Sequence, residues 1–228
     1  MKEQDSIRKR LVSDVSHEIR TPLNLLQNNL EAMIDGVLPI SKERLSSLND
    51  EVIRFSKLLD NLNTLKEFDA EEVTLKEENI FLDELIQGTC EEFSMVAKEK
   101  DIEVNYTIKP DEKYMVLGDP DKIKQVFINI ISNAIKFTKV HGQIDIKITE
   151  NKDQIVVIIK DNGIGIKKED LPFIFERLYR GDKSRHEIQG SGIGLTIVKR
   201  ILNLHGAEIQ VVSEDGKGSI FTVTFNKK

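Results

Sequence analysis

The sequence predicts an all-α helical hairpin, which forms a four-helix bundle as a dimer, followed by an α+β sandwich domain. Two observations predict this fold class. Up to about residue 68, apolar residues recur at spacings of three and four, which is typical of amphipathic helices. From Ile80 onward, helical stretches alternate with segments of period two, the pattern of half-buried strands. We assign residues 1–70 to the hairpin, 71–79 to a linker and 80–228 to the second domain.

Composition restricts the class of protein. The 228 residues carry a net charge of −6 and no basic run, which argues against nucleic acid as a partner. Cys90 is the single cysteine, so we expect a buried, inert thiol rather than a disulfide. The sequence has no apolar run of membrane-spanning length and no signal peptide. We expect this fragment to be cytoplasmic without direct membrane contact, and the full-length protein to be anchored in the cell membrane.

The first predicted helix covers about residues 3–34. His17 falls outside its apolar stripe, Glu18 flanks the histidine, and Thr21 shares its exposed face one turn later. An exposed imidazole has a pKa of about 6.5 and is a usable nucleophile near neutral pH, and an adjacent carboxylate can accept its ring proton. The alternative is an ordinary surface histidine on a bundle helix. The stripe comprises Val12, Val15, Ile19, Leu23, Leu26, Leu30 and Met33.

A second helix is predicted after a break at residues 35–39, with Ser41 as its N-cap and its end near Phe68. Its apolar residues form a heptad seam. A two-helix hairpin cannot bury such seams alone, so we predict a symmetric four-helix bundle made by two chains. The alternative is a hairpin packed on its own second domain. The seam comprises Leu45, Leu48, Val52, Phe55, Leu59 and Leu62.

The second domain is predicted to have helices on one face of a mixed, largely antiparallel sheet. The continuous apolar run from Ile155 to Ile159 indicates a central strand. Residues 162–191 form a long, charged loop region with several glycines. The predicted helices cover about residues 82–100, 120–138 and 192–205, and the other strands lie near residues 102–108, 114–117, 144–148, 209–211 and 221–225.

Three polar residues follow one line beside the core stripe of the helix at 120–138. These are Asn129, Asn133 and Lys136, spaced so that they share one side of the helix. Amide oxygens suit a divalent cation and a lysine ammonium suits phosphate, so this line could hold Mg2+ and a polyphosphate. Polar residues beside a core stripe can equally be solvated.

Two glycine-rich segments provide further candidate ligand-binding residues. Asp161 ends the apolar strand and could accept a hydrogen bond from an exocyclic amine, while Gly163 and Gly165 would let the backbone approach a flat ligand. The segment G-S-G-I-G-L, residues 190–195, opens a helix, where free N–H groups can bind phosphate. A plain turn and a flexible loop entering a helix are the alternatives.

The segment S-H-E-I-R-T-P-L, residues 16–23, resembles the H box of sensor histidine kinases. The resemblance implies that His17 accepts a phosphoryl group from ATP, that Glu18 acts as the base, and that Thr21 is used for dephosphorylating the partner.

The second domain resembles the Bergerat-type ATP-binding domain of the same family. The matching segments are residues 129–136 (N box), 161–165 (G1 box), 173–180 (F box), 190–195 (G2 box) and 216–219 (closing glycine turn). Leu178 departs from the F box, which commonly has a second aromatic residue there.

This resemblance implies roles for individual residues. Asn133 would be the chief Mg2+ ligand, assisted by Asn129, while Lys136 would meet phosphate and Asp161 would read the adenine amino group. Arg177 or Arg180 would contact the terminal phosphate, with Arg180 preferred. Residues 167–190 would form a lid over ATP. The remaining cofactor-binding residues would be Gly163, Gly165, Gly190, Gly192, Gly194 and Leu195.

The resemblance therefore implies an ATP-dependent protein-histidine kinase. It would phosphorylate His17, pass the phosphoryl group to an aspartate of a response regulator receiver domain, and hydrolyse the phosphorylated regulator in the opposite signalling state. An ATP-driven clamp and a pure dimerisation scaffold are the alternatives. The sequence leaves open whether transfer occurs within one chain or between two.

Overall fold

The computed structural model describes residues 19–20, 22–68, 74–108, 114–177, 179, 181 and 192–227. The chain divides into two compact units, Met1–Asp69 and Ala70–Lys228.

The first unit is helical. Helix α1 is described over residues 22–34 and ends in a turn, in which the Leu38 N–H donates to the carbonyl of Ala32 at 2.9 Å. Helix α2 covers Lys42–Phe68. The Ser41 hydroxyl accepts a hydrogen bond from the Arg44 N–H at 3.3 Å, so Ser41 acts as an N-cap.

Apolar side chains of both predicted stripes remain exposed on the single chain. The exposed fractions are 48% for Leu23, 47% for Leu30, 51% for Leu45, 47% for Val52 and 38% for Leu59. A hairpin with this much exposed apolar surface has a face that further packing could cover.

The described residues of the second unit form three α-helices, one short 3-10 helix and two sheets. Its helices are α3 (Leu82–Glu99), α4 (Pro120–Phe137) and α5 (Gly194–Leu204). Its strands are β1 (Glu78–Phe81), β2 (Glu103–Thr107), β3 (Met115–Gly118), β4 (Gln143–Glu150), β5 (Gln154–Asp161), β6 (Glu208–Glu214) and β7 (Gly218–Asn226).

The larger sheet has the strand order β2-β4-β5-β7-β6, with β5 at its centre as predicted. The β2–β4 pair is parallel and the other pairs are antiparallel, which confirms a mixed, largely antiparallel sheet. Alternate residues of the central strands are buried, among them Ile146, Ile159 and Val223. Helix α4 contacts both α3 and α5, and its Phe127 packs on Phe225 of β7 with ring centroids 6.4 Å apart. The second unit is therefore a helix layer on one face of a sheet, the predicted α+β sandwich.

A second, two-stranded sheet pairs β1 with β3, with Ile80 opposite Val116. Strand β1 begins at Glu78, inside the segment that the sequence analysis interprets as linker. The sequence alone does not reveal this strand, because its pairing partner β3 lies more than 30 residues further along the chain. Cys90 is 5% exposed, as expected for an inert thiol. Within the described ranges, the structure contains no helix long and apolar enough to cross a membrane.

Candidate functional site

The structure describes most of the predicted ATP-site residues but none of the predicted phosphoacceptor residues. His17, Glu18, Thr21, Arg180 and Gly190 lie outside the described residues. The residues that can be placed are Asn129, Asn133, Lys136, Asp161, Gly163, Gly165, Arg177, Gly192, Gly194 and Leu195.

Helix α4 supplies the first part of the site. It starts at Pro120, whose missing N–H costs nothing in the first turn, and the Asp119 carboxylate caps it by accepting from the Lys122 N–H at 3.2 Å. The apolar stripe of α4 is buried against the sheet. Asn129, Asn133 and Lys136 are all half-buried at the border of that stripe, as their spacing predicts.

The side chain of Asn129 connects α4 to the start of α5. Its Nδ2 donates to the carbonyl of Gln125 at 3.0 Å, which turns Oδ1 toward Gly194. A Cβ atom added to Gly194 would lie 2.9 Å from that oxygen. Glycine at this position therefore lets the N-terminus of α5, preceded by Gly192 and continued by Leu195, approach Asn129 closely. Two motifs that are distant in the sequence meet at this point.

The other two polar residues of α4 differ in their surroundings. Within the described part of the chain, no hydrogen bond engages the Asn133 side chain, so its amide oxygen is available to a cation. The Lys136 ammonium lies 4.9 Å from the centroid of the Phe137 ring, in cation–π range. Amide oxygens near an ammonium suit a metal-bound polyphosphate.

Asp161 is the buried charged residue of the site. It ends β5 and is only 4% exposed. Oδ1 accepts from the Gly163 N–H at 2.9 Å and from the Ser219 N–H at 3.3 Å. Burial raises the pKa of this carboxyl, and the two N–H donors partly oppose the rise. Because both described donors use Oδ1, the carboxylate can present Oδ2 to an amine.

Gly163 and Gly165 also fix the loop after Asp161 against neighbouring backbone. A Cβ on Gly163 would overlap the carbonyl oxygen of Phe137, and a Cβ on Gly165, which has φ 69°, would overlap that of Glu214. Protein backbone therefore fills the space on the Cβ side of both glycines. Both glycines seat the loop, which the Ile164 N–H strengthens by donating to Phe137 at 3.1 Å.

The structure describes part of the predicted lid, residues 167–190. Arg177 is exposed and follows the short 3-10 helix Leu171–Phe173, and the Tyr179 hydroxyl donates to Asp170 at 2.6 Å.

Ser219, which the sequence analysis does not assign to the site, holds Asp161 across the β5–β7 pair. Ser219 lies in the closing glycine turn, but only the strand register identifies it as the partner of Asp161.

Two family models match successive parts of the chain. The His Kinase A (phospho-acceptor) domain model matches residues 7–71. The model of the histidine kinase-, DNA gyrase B- and HSP90-like ATPase matches residues 118–228.

Individual relatives and solved structures match most or all of this chain. Sensor histidine kinase WalK of Bacillus subtilis is 35% identical over 98% of this chain, and the chain spans 37–39% of the length of the curated relatives it matches. The Acinetobacter baumannii histidine kinase AdeS shares 26% identity with a TM-score of 0.76, covering 92% of this chain and 97% of that chain. Histidine kinase ThkA, solved in complex with response regulator protein TrrA, has a TM-score of 0.79, covering 100% of this chain and 64% of that chain. Its sequence identity is 23%, so this similarity shows a shared fold and no more. With both domain models matched in this order, the chain belongs to the sensor histidine kinases.

Proposed function

We propose that this chain transfers the γ-phosphoryl group of ATP to His17. The observation that carries the proposal is the meeting of Asn129 with the glycine-rich start of α5, at Gly194. It joins a line of amide oxygens to a helix N-terminus, whose N–H groups and dipole favour phosphate. The buried Asp161, in the same domain, supplies a carboxylate suited to the adenine amino group.

The proposed roles follow from these surroundings. Asn133 would hold Mg2+ with help from Asn129, because the first amide has no described partner and the second turns its oxygen toward α5. Bound Mg2+ would neutralise charge on the phosphates. Lys136 would contact phosphate, Asp161 would read adenine, and the loops at Gly163, Gly165, Gly190 and Gly192 would shape the pocket with Leu195. Arg177 or Arg180 would meet the terminal phosphate.

The proposed transfer is a substitution at the γ-phosphorus. An imidazole nitrogen of His17 forms the new N–P bond, and the bond between the γ-phosphorus and the bridging oxygen breaks, with ADP as leaving group. Glu18 takes the ring proton. The phosphoryl group then passes to an aspartate of a response regulator, a partner class that ThkA binds in its crystal structure with TrrA.

The remaining parts of the proposal concern assembly and organisation. Residues 1–70 would form the phosphoacceptor hairpin, 71–79 a linker and 80–228 the catalytic domain. The hairpin has exposed apolar residues in both the stripe of the first helix and the seam of the second. They favour a homodimer through the hairpin, since a second copy would cover Leu23, Leu30, Leu45, Val52 and Leu59. Use of ATP and of a response regulator favours a cytoplasmic position for this fragment.

Incubation with γ-labelled ATP and Mg2+ tests the proposal. We expect label that survives base, is lost in acid and disappears in His17→Ala, while that variant still binds ATP. His141→Gly is the matched control, because His141 is an exposed histidine of the second unit, and it should retain the label. Label in the His17→Ala protein would identify another acceptor. ATP binding without any label would favour the clamp or the scaffold.

Phosphatase activity is a separate proposal that rests on Thr21. We expect Thr21→Ala to keep autophosphorylation and to lose hydrolysis of the phosphorylated regulator, measured as release of phosphate from the isolated regulator. Full hydrolysis by the variant would remove Thr21 from that role.

A further inference from the structure

Lys100, just after α3, makes three hydrogen bonds to the end of α4. Its Nζ donates to the carbonyls of Ile135 at 2.8 Å, Lys136 at 3.0 Å and Thr138 at 3.2 Å. The last carbonyls of a helix lack partners within the helix and carry partial negative charge. An ammonium has three N–H groups, so Lys100 can satisfy all three of these acceptors at once.

Backbone contacts reinforce this junction between the α3–β2 turn and the α4–β4 turn. The His141 N–H donates to the Lys100 carbonyl at 3.1 Å, and the Glu103 N–H donates to Gly142 at 2.9 Å. Asp101 and His141 add a side-chain contact of 2.7 Å. The end of α4 is thereby held by residues that precede this helix by two strands, β2 and β3.

The end of α4 also supports the adenine side of the proposed site. The Phe137 carbonyl, next to the Lys136 carbonyl that Lys100 binds, accepts from the Ile164 N–H at 3.1 Å. Gly163 packs against the same Phe137 carbonyl, and its own N–H donates to Asp161. A continuous set of contacts therefore runs from Lys100 through Phe137 and Gly163 to the Asp161 carboxylate.

We propose that Lys100 is a positioning residue for nucleotide binding, an inference that rests on the proposed function. In this role Lys100 acts through the end of α4, not through a direct contact with the nucleotide. It fixes the last turn of α4, and with it both Lys136 and the loop that orients Asp161. Loss of the ammonium lets that turn fray, so the phosphate-binding and adenine-binding groups lose their fixed separation.

Three variants of the full chain separate positioning from charge. Lys100→Met removes the ammonium and keeps the apolar stem, Lys100→Arg keeps the charge and several donors, and Lys139→Met removes an exposed lysine of the same turn. The measurements are the Kd for ADP with Mg2+, the Kd for adenosine, and amide hydrogen exchange at Gly163 and Ile164 without nucleotide.

We expect Lys100→Met to weaken both ligands by roughly tenfold or more and to accelerate exchange at Gly163 and Ile164 while the centre of β5 stays protected. Lys100→Arg should recover part of the affinity, and Lys139→Met should match the wild type. Unchanged affinity in Lys100→Met, or an equal loss in Lys139→Met, overturns the inference.

Other outcomes distinguish failure of the proposed role of Lys100 from failure of the proposed ATP site. A wild-type protein that binds neither ligand refutes the proposed ATP site itself, whereas a binding wild type with an unaffected Lys100→Met refutes only the role of Lys100. If Lys100→Met does not fold, Lys100→Gln, which keeps an amide donor, receives the same measurements. Exchange that rises equally throughout the sheet, or failure of both variants to fold, would show a purely structural role.

Discussion

The Nδ1 atom of His141 lies 2.7 Å from Oδ2 of Asp101, and both residues have left-handed backbone conformations, with φ of 62° and 55°. Among the residues that the structure describes, they are the two non-glycine residues with positive φ. Both side chains are 76% exposed, so their contact stabilises the fold by at most about 1 kcal/mol. A left-handed conformation costs about 1–2 kcal/mol for a residue with a Cβ. The backbone strain therefore outweighs the contact.

Replacing His141 tests this balance. His141→Gly loses the contact with Asp101 but relieves the larger strain, while glycine gives the unfolded chain more conformational freedom. Its free energy of unfolding should therefore equal or slightly exceed the wild-type value. His141→Ala loses the contact and keeps the strain, so it should be about 1 kcal/mol less stable than the glycine variant. Urea denaturation of both variants measures the difference. Equal stabilities would mean that the conformation at His141 carries no strain.

Asp161→Asn should retain or raise stability at neutral pH while it abolishes nucleotide binding. Burial raises the pKa of Asp161, so the folded domain binds this proton more tightly than the unfolded chain does. Stability of the wild type therefore falls as pH rises from about 3.9, the ordinary pKa of Asp, through the higher folded value, and the penalty is complete above it. Asparagine has no charge to bury, so the stability advantage of Asp161→Asn over the wild type should disappear in acid.

Urea denaturation across this pH range and a nucleotide titration at neutral pH provide the measurements. In Asp161→Asn, the carbonyl oxygen of the new amide could accept from Gly163 and Ser219 in place of Oδ1, which leaves an NH2 group where an adenine amino group needs an acceptor. Asp153→Asn, in the exposed turn before β5, is the control and should bind normally. An Asp161→Asn protein with wild-type affinity would remove Asp161 from adenine recognition.

Gly194→Ala should weaken Mg2+-dependent nucleotide binding, because its Cβ would lie 2.9 Å from Asn129 Oδ1 and displace that side chain. Gly88→Ala is the matched control. No atom lies within 4 Å of its added Cβ, and alanine in the middle of α3 should stabilise the fold by about 0.5–1 kcal/mol. Calorimetric titration and urea denaturation measure both effects. Normal binding by Gly194→Ala would show that the close approach to Asn129 is not used.

Cys90 should react slowly with thiol reagents in the native protein. The residue is 5% exposed, and burial raises the pKa of its thiol, which lowers the thiolate fraction at any pH below that value. Reaction with a chromogenic disulfide at mildly alkaline pH, followed with and without urea, measures this. Rapid native reaction would indicate that α3 opens readily.

Much of the second unit could be predicted because the spacing of apolar side chains along the chain indicates the local secondary structure. Alternation at Ile144, Ile146 and Ile148 predicts β4, and the apolar run at Ile155–Ile159 predicts a strand covered on both edges, which β4 and β7 provide. The spacing of Asn129, Asn133 and Lys136 likewise predicts their common position on α4. These patterns depend only on neighbours along the chain.

Contacts between distant segments could not be predicted in this way. Gly163 and Gly165 are glycines because of the Phe137 and Glu214 carbonyls, which the local sequence does not reveal. Nor does any local pattern distinguish Lys100 from a solvated lysine at a helix end. The roles of His17, Glu18 and Thr21 stay predictions, since they lie outside the described residues.

The central position of β5 has a consequence for the protein during its synthesis. One edge of β5 pairs with β4, but the other edge pairs with β7, whose residues Gly218–Asn226 are made much later. A nascent chain that ends before them lacks the Ser219 N–H that holds Asp161 and presents an uncovered apolar strand edge. Under the proposed function, affinity for ATP would therefore be acquired late in translation, when β7 closes the sheet, and shorter products would be expected to aggregate or be degraded.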